Sequence, residues 1–407
     1  MRLLVLGTLL AASTAVPAHD VGAHPAKDYS RMWQERLEKA PQHAVSLSFD
    51  GAGRLWLARA AGKHVVVSHS DDLGQHFSAP VQVNREPELV DAGGENRPKI
   101  AVAGRRVFVS WTQSLAQPFS GNVRFAVSGD GGASFSTPMT INDNRDPISH
   151  RFDALFVGRD GRITLAWLDA RERGSRHEYL GAAVYVAESD DNGKTFGANR
   201  KLVDHSCECC RIALAGDADG TPVAFWRHVF AGADGSQLRD FALARLDRPA
   251  EPPQRATQDD WQLNGCPHHG GDLAIDARGS RHLAWFTGAA GKAGLYYRRI
   301  DGVQARAAMR FGDADQQPGH ASVLVSGDRV FLAWQEYDGK TLRIQVMASP
   351  DRGEHWSKPI TQVTTAHAAD YPQLLSGRGK AWLAWNTGDE GLRLWPVDAL
   401  GTVDAAP

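Results

Sequence analysis

The sequence has only four cysteines, no excess of either charge and no long apolar run beyond its first residues. The formal net charge of −2 provides no electrostatic attraction for nucleic acid or for an anionic membrane surface, so neither is expected as a partner. Without a later apolar run of about 20 residues, no membrane-spanning helix is predicted. The composition that remains, with 42% hydrophobic and 23% charged residues, is typical of a globular protein.

Residues 1–18 have a basic start, an apolar core and small residues before a predicted cleavage point after Ala18. This pattern is typical of a secretory signal peptide, and its apolar part is too short for a transmembrane helix. We therefore expect an exported protein, periplasmic or secreted, whose cysteines meet an oxidising compartment. Residues 19–42 are expected to form an N-terminal segment, and residues 397–407 a C-terminal tail.

Four segments share the pattern Ser-x-Asp-x-Gly-x-x-aromatic, which predicts a tight turn between two strands. The Asp carboxylate can accept backbone N–H bonds, Gly permits a positive φ, and the aromatic ring can pack back against the sheet. The residues of the four copies are Ser70, Asp72, Gly74, Phe77, Ser128, Asp130, Gly132, Phe135, Ser189, Asp191, Gly193, Phe196, Ser349, Asp351, Gly353 and Trp356.

Seven short β-rich segments, among them "VFVSW", "ITLAW" and "VFLAW", recur along the chain. Most are preceded by an apolar stretch with a Gly-containing turn and followed by a third strand. Units of three to four antiparallel strands, repeated about every fifty residues, are typical of a propeller. The sequence therefore predicts an all-β fold, a single β-propeller over residues 43–396.

The four turn repeats resemble the Asp boxes of the sialidase superfamily, whose members are also called BNR-repeat propellers. The resemblance covers roughly residues 43–396, although repeats four, five and seven lack a recognisable box. Sialidases have six blades, whereas seven strand sets here predict seven. Because an Asp box is a turn and propellers carry many functions, the resemblance predicts the fold rather than the activity.

The ring of a propeller must close between its last and first blades. Residues 31–41 resemble the outer-strand segment of repeat six, which predicts that they complete the last blade as a strand. The same residues also have the propensity to form a short helix.

Aligning the seven repeats by their inner strands places seven polar or reactive side chains at the mouth of the central channel. Such side chains are costly to bury without partners, so the ring predicts a ligand site. A water-filled funnel of groups that satisfy one another is the alternative. His43, Arg97, Arg151 and His320 are candidate ligand-binding residues, and the full ring is His43, Arg97, Arg151, Cys210, His269, His320 and Tyr371.

Thiol and imidazole side chains should also meet where the inner strands of repeats four and five begin. These ligand types suit zinc or copper. Export favours oxidation, so disulfides that join Cys266 to one of the other three cysteines are the alternative. The candidate metal ligands are Cys207, Cys209, Cys210, Cys266, His268 and His269.

The resemblance to sialidases implies a different chemistry, in which arginines hold a substrate carboxylate and a tyrosine attacks the sugar. By that resemblance Tyr371 would be the nucleophile, Glu336 its partner and Asp169 the acid. Arg97 and Arg151 would hold the carboxylate, although Arg97 matches the family's segment only loosely and no third arginine of the triad is evident.

The leading hypothesis is an exported, monomeric propeller that is not a true sialidase and uses a Cys/His-rich site at the channel mouth. Copper or zinc would be its cofactor, and a small molecule, a glycan or the metal itself its ligand. Two alternatives stay open. One is an exo-sialidase or related glycoside hydrolase acting on an anionic sugar, and the other is a structural or partner-binding propeller held by disulfides.

Overall fold

The computed structural model describes residues 29–174, 180–249, 251–263 and 265–400. Within them the chain forms seven antiparallel β-sheets of three to five strands, which are the blades of a seven-bladed propeller, and one separate two-stranded hairpin. The predicted all-β fold and the number of blades are confirmed. The predicted signal peptide lies outside the described residues and stays a prediction, as does export.

The first three blades each contain at least four strands. Blade 1 contains β1 (Val45–Phe49), β2 (Leu55–Ala61), β3 (His64–Ser70) and β4 (Val81–Gln82). Blade 2 contains β5 (Val90–Asp91), β6 (Lys99–Ala103), β7 (Arg106–Ser114), β8 (Gly121–Ser128) and β9 (Met139–Thr140). Blade 3 contains β10 (His150–Val157), β11 (Ile163–Asp169), β12 (Ala182–Ser189) and β13 (Arg200–Ser206).

Blades 4 and 5 are less regular than the first three. Blade 4 contains β14 (Ala213–Gly216), β15 (Pro222–Arg227), β18 (Phe241–Arg245) and β19 (Gln254–Arg255), and its loop carries the hairpin β16 (Phe230–Ala231) and β17 (Gln237–Leu238). Blade 5 contains β20 (Asp272–Ile275), β21 (Arg281–Thr287), β22 (Gly294–Asp301), β23 (Gln304–Ala305) and β24 (Met309–Phe311).

The last two blades complete the ring. Blade 6 contains β25 (Gly319–Ser326), β26 (Arg329–Tyr337), β27 (Leu342–Ser349) and β28 (Ile360–Thr365). Blade 7 contains only β29 (Gln373–Gly377), β30 (Lys380–Thr387) and β31 (Gly391–Pro396). The described helical elements are α1 (Tyr29–Lys39) and two 3₁₀ turns, Arg171–Gly174 and Ala314–Gln316.

A buried tryptophan on the second strand anchors each of blades 2 to 7. These indoles are at most 1% exposed, and each donates its N–H to a carboxylate, hydroxyl or carbonyl oxygen at 2.5–3.0 Å. Because a buried indole N–H needs a partner, these bonds fix the position of the tryptophan-bearing strand in each of blades 2 to 7. The six residues are Trp111, Trp167, Trp226, Trp285, Trp334 and Trp385.

The Asp boxes form the turns that the sequence predicts. In the first box the Ser70 hydroxyl donates to Asp72 at 2.8 Å, and the Gly74 N–H donates back to Ser70 at 2.8 Å. The same two bonds recur in the other three boxes at 2.7–3.0 Å. Gly74 has φ +85°, and its counterparts have φ of +81° to +87°, a region that favours glycine.

Ring closure differs from the predicted strand exchange. Tyr29–Lys39 form helix α1, so the strand prediction for residues 31–41 is wrong and the helical alternative is the one observed. Blade 7 instead contacts blade 1 directly, since Gln373 donates to the Val45 carbonyl and the Arg378 Nε to the Gly53 carbonyl. An apolar cluster around Val45, Leu47 and Ala384 joins the two blades as well, so no exchanged strand is needed.

Helix α1 packs over the channel mouth through its one buried side chain, Trp33. The indole ring contacts the ring of Phe119 with centroids 4.6 Å apart, and the Arg151 guanidinium lies 5.9 Å from the indole centroid. Among the described residues no helix is both long and apolar enough to cross a membrane.

Asp370 is the carboxylate that joins the last blade to the first two. It is fully buried, accepts from the Val45 N–H at 3.0 Å, and receives two bonds from the Arg97 guanidinium at 2.7 and 2.8 Å. We predict that Asp370→Asn lowers the free energy of unfolding by about 3–5 kcal/mol, because the buried charge of Arg97 loses its partner.

Thermal and urea unfolding would measure this effect. Asp389→Asn is the matched control, since Asp389 is an exposed residue in blade 7 that pairs with His367, and its loss should cost at most about 1 kcal/mol. Equal effects of the two substitutions would contradict the role of Asp370 in closure.

Candidate functional site

Three residues of the predicted ring form a continuous aromatic stack at the channel mouth. The rings of Tyr371 and His320 are nearly parallel, with centroids 3.4 Å apart, and His320 stacks on His269 at 4.5 Å. Phe286 extends the stack with its centroid 4.3 Å from that of His269. The structure thus brings together side chains from the entrances of blades 5, 6 and 7.

The buried carboxylate that organises this region is Glu95, in the loop between β5 and β6. It accepts from the Arg211 side chain at 2.8 Å, from the Gly270 N–H at 2.9 Å and lies 3.5 Å from His320 Nδ1. Burial opposes its ionisation, but Arg211 and His320 outweigh that cost and hold the pKa of Glu95 well below its usual range.

Glu95 and Arg211 do not occupy the aligned ring positions, so the repeat alignment missed both. Glu95 lies two residues before Arg97 in a glycine-rich loop, and Arg211 directly follows Cys210. A charged residue in an otherwise glycine-rich loop was the only signal for Glu95. Its partners are 116 and 225 residues away in sequence, so the sequence alone did not pair them.

The two ring arginines bind protein carboxylates. Arg97 pairs with Asp370, and Arg151 donates to Asp91 from Nε at 3.2 Å and from Nη2. Both side chains are only about a tenth exposed. The expectation that they would hold a substrate carboxylate is therefore not met in this arrangement.

The sialidase resemblance implies Asp169 as the acid and Glu336 as the partner of Tyr371. In the structure both carboxylates accept hydrogen bonds from buried tryptophans. The Asp169 carboxylate accepts from the Trp167 indole at 2.9 Å and is covered by the Arg171 guanidinium. Glu336 accepts from the Trp334 indole at 2.8 Å and from the Asp313 N–H at 2.9 Å. Neither carboxylate forms a bond to Tyr371 among the described residues, and the two catalytic roles stay predictions.

Tyr371, the predicted nucleophile, ends the aromatic stack. Burial raises the pKa of its hydroxyl to about 12, and the negative charge of Glu95 acts in the same direction. His43 lies apart from the stack, at the junction of blades 7 and 1, where its carbonyl accepts from Asn386 at 2.8 Å.

A cleft of about 890 Å³ opens beside the stack, between loops of blades 5, 6 and 7. His269, His320 and Phe286 form part of its wall, and the exposed cations Arg310 and Lys340 lie at its rim. Three buried polar atoms of wall residues, His269 Nδ1, His320 Nδ1 and Gln335 Oε1, lack a hydrogen-bond partner within the described part of the chain. The cleft therefore combines an aromatic wall with positive charge at its rim.

Three of the four cysteines lie where blade 3 leads into blade 4, and Cys266 lies where blade 4 leads into blade 5. Strand β13 ends at Ser206, and a turn at residues 208–209 folds the chain back before β14 begins. This turn brings the Cys207 sulfur to 3.7 Å from that of Cys209 and 3.9 Å from that of Cys210. The irregular backbone allows three neighbouring cysteines to face one point.

A second set of ligand atoms overlaps the first. The sulfurs of Cys209 and Cys266 and a ring nitrogen of His268 all lie within 4.8 Å of one another. Cys209 is buried, whereas Cys266 and His268 are exposed. His269, predicted as a further metal ligand, belongs to the aromatic stack instead.

All four cysteines are free thiols in the structure. The 3.7 Å between the sulfurs of Cys207 and Cys209 far exceeds the bonded distance of about 2.05 Å. The disulfide alternative is therefore not what the structure contains.

The thiols differ in their readiness to ionise. The pKa of Cys207 lies well below its usual range, because the thiols of Cys209 and Cys210 can donate to the Cys207 sulfur. Arg239 also lowers this pKa, whereas burial opposes the shift. A side-chain bond to Cys209 lowers the pKa of Cys266 to about 7. The pKa of Cys209 is raised by its bonds to the neighbouring thiols, and that of Cys210 chiefly by burial.

Comparison with known proteins adds information at the level of the fold. No protein-family model matches the chain, and no curated protein matches it in sequence. Among solved structures, an ulvan lyase of family PL25 bound to -[GlcA(1-4)Rha3S]- matches with a TM-score of 0.55 and 12% identity, over 88% of this chain and 92% of the lyase.

Two further solved structures match in the same way. The polysaccharide lyase Uly1 has a TM-score of 0.55 and 10% identity over 88% of this chain and 90% of its own. An α-L-arabinofuranosidase from Fusarium graminearum has a TM-score of 0.52 and 10% identity over 75% and 92%. The chain is a seven-bladed propeller with Asp-box turns. At these identities the matches show the fold of the propeller and not its activity.

Three imidazoles in this propeller are held neutral by their surroundings. Burial lowers the pKa of His269 and His228 to about 3 and that of His282 to about 4. Since the unfolded chain binds protons at these histidines from about pH 6.5 downward and the folded chain does not, stability should fall as the pH drops from about 6.5 to 4.

His269→Phe keeps a ring in the stack and removes one of these groups. We predict that it flattens the dependence of the unfolding free energy on pH by up to about 1.4 kcal/mol per pH unit, measured by urea unfolding between pH 4 and 6.5. Phe119→Leu, at an exposed aromatic residue, removes no titratable group and should leave the slope unchanged. An unchanged slope in His269→Phe would show that this imidazole is not held neutral.

Proposed function

We propose that this propeller binds a soft, monovalent metal ion, Cu(I), in a site formed by Cys207, Cys209 and Cys210. The observation that carries the proposal is the convergence of three buried sulfurs on one point. Thiolate ligands favour Cu(I), Zn²⁺ and iron–sulfur clusters among biological metal centres, so the ligand set restricts the choice of ion.

The distances between the sulfurs support a shared ion. Sulfurs bound to one metal at about 2.3 Å lie about 3.8 Å apart in a tetrahedral site and about 4.0 Å apart in a trigonal one. The separations from Cys207 to Cys209 and to Cys210 are 3.7 and 3.9 Å. The thiols are therefore spaced for a common ion without a change in the backbone.

The number of ligands supports copper over zinc. Zinc in a structural site takes four protein ligands, and among the described residues no fourth His, Cys or carboxylate atom lies within 4.8 Å of all three sulfurs. Cu(I) accepts three thiolates in a plane. The cluster is also enclosed, since the three cysteines are at most 4% exposed and pack among apolar residues of blades 3 and 4.

Two arginines supply compensating positive charge. Arg227 and Arg239 are 1% and 8% exposed, and both act to lower the pKa of Cys207. A thiolate-rich site in an apolar interior is costly unless positive charge lies nearby. The positive charge of these arginines stabilises the ionised, metal-bound form of the cluster in the protein interior.

The test is anaerobic titration of the reduced protein with Cu(I) against a chromophoric Cu(I) chelator. Cys207→Ala and Cys210→Ala should each weaken binding roughly 100-fold or more, since even residues that only support metal ligands contribute 10–100-fold. Bound Cu(I) should also raise the melting temperature of the wild-type protein, because a ligand that binds only the folded state stabilises it.

A substitution in another blade is the control for altered packing. Ser78 is half-buried in blade 1, where its hydroxyl accepts from the His69 N–H, and Ser78→Ala should retain wild-type affinity. If the wild-type protein does not compete with the chelator, or if both cysteine variants bind as tightly as wild type, the proposed function is wrong.

A second candidate function is binding of an anionic glycan in the cleft beside the aromatic stack. Phe286, which ends the aromatic stack and lines the cleft, suits a sugar ring, and the cations Arg310 and Lys340 suit carboxylate or sulfate groups. The matched ulvan lyase structure contains a glucuronate–rhamnose sulfate ligand, which agrees with this chemistry. Because Arg97 and Arg151 are engaged by Asp370 and Asp91, we do not propose sialidase activity.

Binding of a sulfated, uronate-containing oligosaccharide would test this second candidate by calorimetry at low salt. Arg310→Ala and Lys340→Ala should each weaken binding about tenfold, as expected for a charge-assisted hydrogen bond. Lys358→Ala, an exposed lysine near the fourth Asp box, is the matched control, and neutral dextran is the control ligand. Equal binding of dextran and the charged oligosaccharide would contradict the assigned role of the cations.

A further inference from the structure

The cysteine cluster contains two overlapping sets of ligand atoms rather than one. The inner set is Cys207, Cys209 and Cys210, and all three residues are buried. The outer set is Cys209, Cys266 and His268, of which the last two are exposed. Only the sulfur of Cys209 belongs to both sets.

One ion cannot use all of these ligands in the observed arrangement. Ligand atoms on a single tetrahedral ion lie within about 4 Å of one another. The Cys266 sulfur is not within 4.8 Å of both Cys207 and Cys210, because the inner set would otherwise contain it. The outer residues are thus spaced for an ion of their own.

We propose that the outer set holds a second Cu(I) ion and that the Cys209 thiolate bridges the two ions. The inference rests on the proposed function, since it places the second ion beside the first. A thiolate sulfur has more than one lone pair and can bind two d¹⁰ ions at once. Each ion then has three ligands, with two thiolates and one imidazole at the outer site.

The charges of the surrounding residues fit a two-ion cluster. Four thiolates and two monovalent ions leave two negative charges, and the buried guanidiniums of Arg227 and Arg239 supply two positive ones. Each thiol that binds releases its proton to solvent as its S–Cu bond forms, and no electron is transferred. The bridging sulfur of Cys209 loses one proton and forms two bonds.

The outer site is also the accessible one. Cys266 borders a cavity of about 230 Å³ that is lined by Glu208, Gln237 and Arg239. The inner sulfurs are enclosed by apolar side chains. An ion arriving from solvent therefore meets the outer ligands first, and the shared Cys209 sulfur connects that position with the inner site.

Metal stoichiometry distinguishes this inference from the proposed function. We expect the reduced wild-type protein to bind two Cu(I) ions per chain in anaerobic titration, and X-ray absorption to detect copper–copper scattering. Cys266→Ser and His268→Ala should each bind one tight ion and lose the copper–copper signal. Both positions are exposed, so these variants should keep the fold, which circular dichroism would verify.

The remaining variants distinguish failure of the second Cu(I) site from failure of the proposed function. Cys209→Ala should lose both tight ions, whereas His76→Ala, at an exposed histidine of blade 1, should keep two. One ion in wild type and one in Cys266→Ser would overturn the second site and leave the proposed function intact. One ion in wild type and none in Cys266→Ser would also overturn it, by showing a single ion shared among the ligands. No bound copper in wild type would overturn both.

Discussion

The buried carboxylate of Glu95 is the interaction on which the channel mouth depends. It comes from the loop of blade 2 and accepts bonds from Arg211 at the entrance of blade 4 and from Gly270 at the entrance of blade 5, and it lies close to His320 in blade 6. In a propeller, neighbouring blades contact through apolar faces, but the centre has no such face. A charge with partners in several blades therefore fixes how their inner ends approach one another.

The contacts of Glu95 position both the cysteine cluster and the aromatic stack. Arg211 follows Cys210 directly, so its bond to Glu95 also positions the end of the cysteine loop. Gly270 follows His269, and a Cβ at Gly270 would lie 2.6 Å from a Glu95 oxygen, which explains why glycine occupies that position. The stack in the cleft and the thiol cluster are chemically distinct, yet both are held in place by one buried anion.

The parts of the fold that could be predicted depend on short-range contacts. An Asp box is closed by bonds between residues two and four positions apart, so its sequence pattern contains nearly the whole interaction. The inner-strand alignment likewise located His269, His320 and Tyr371 near one another, because the blades repeat. The alignment could not assign hydrogen-bond partners to these side chains. The sequence therefore suggested catalytic roles for Asp169 and Glu336 and did not reveal that each accepts a bond from the tryptophan two residues earlier.

By itself, the sequence determined an all-β propeller of seven blades with Asp-box turns and a polar ring at the channel mouth, since periodicity and local turns encode these features. The tertiary structure alone decided which polar groups pair. It joined Arg97 to Asp370 across 273 residues, separated His269 from the cysteines, and divided the thiols into two ligand sets that share Cys209. Such pairings arise only when the ring closes, because closure brings the entrances of distant blades within hydrogen-bonding range and no local pattern records the distance between them.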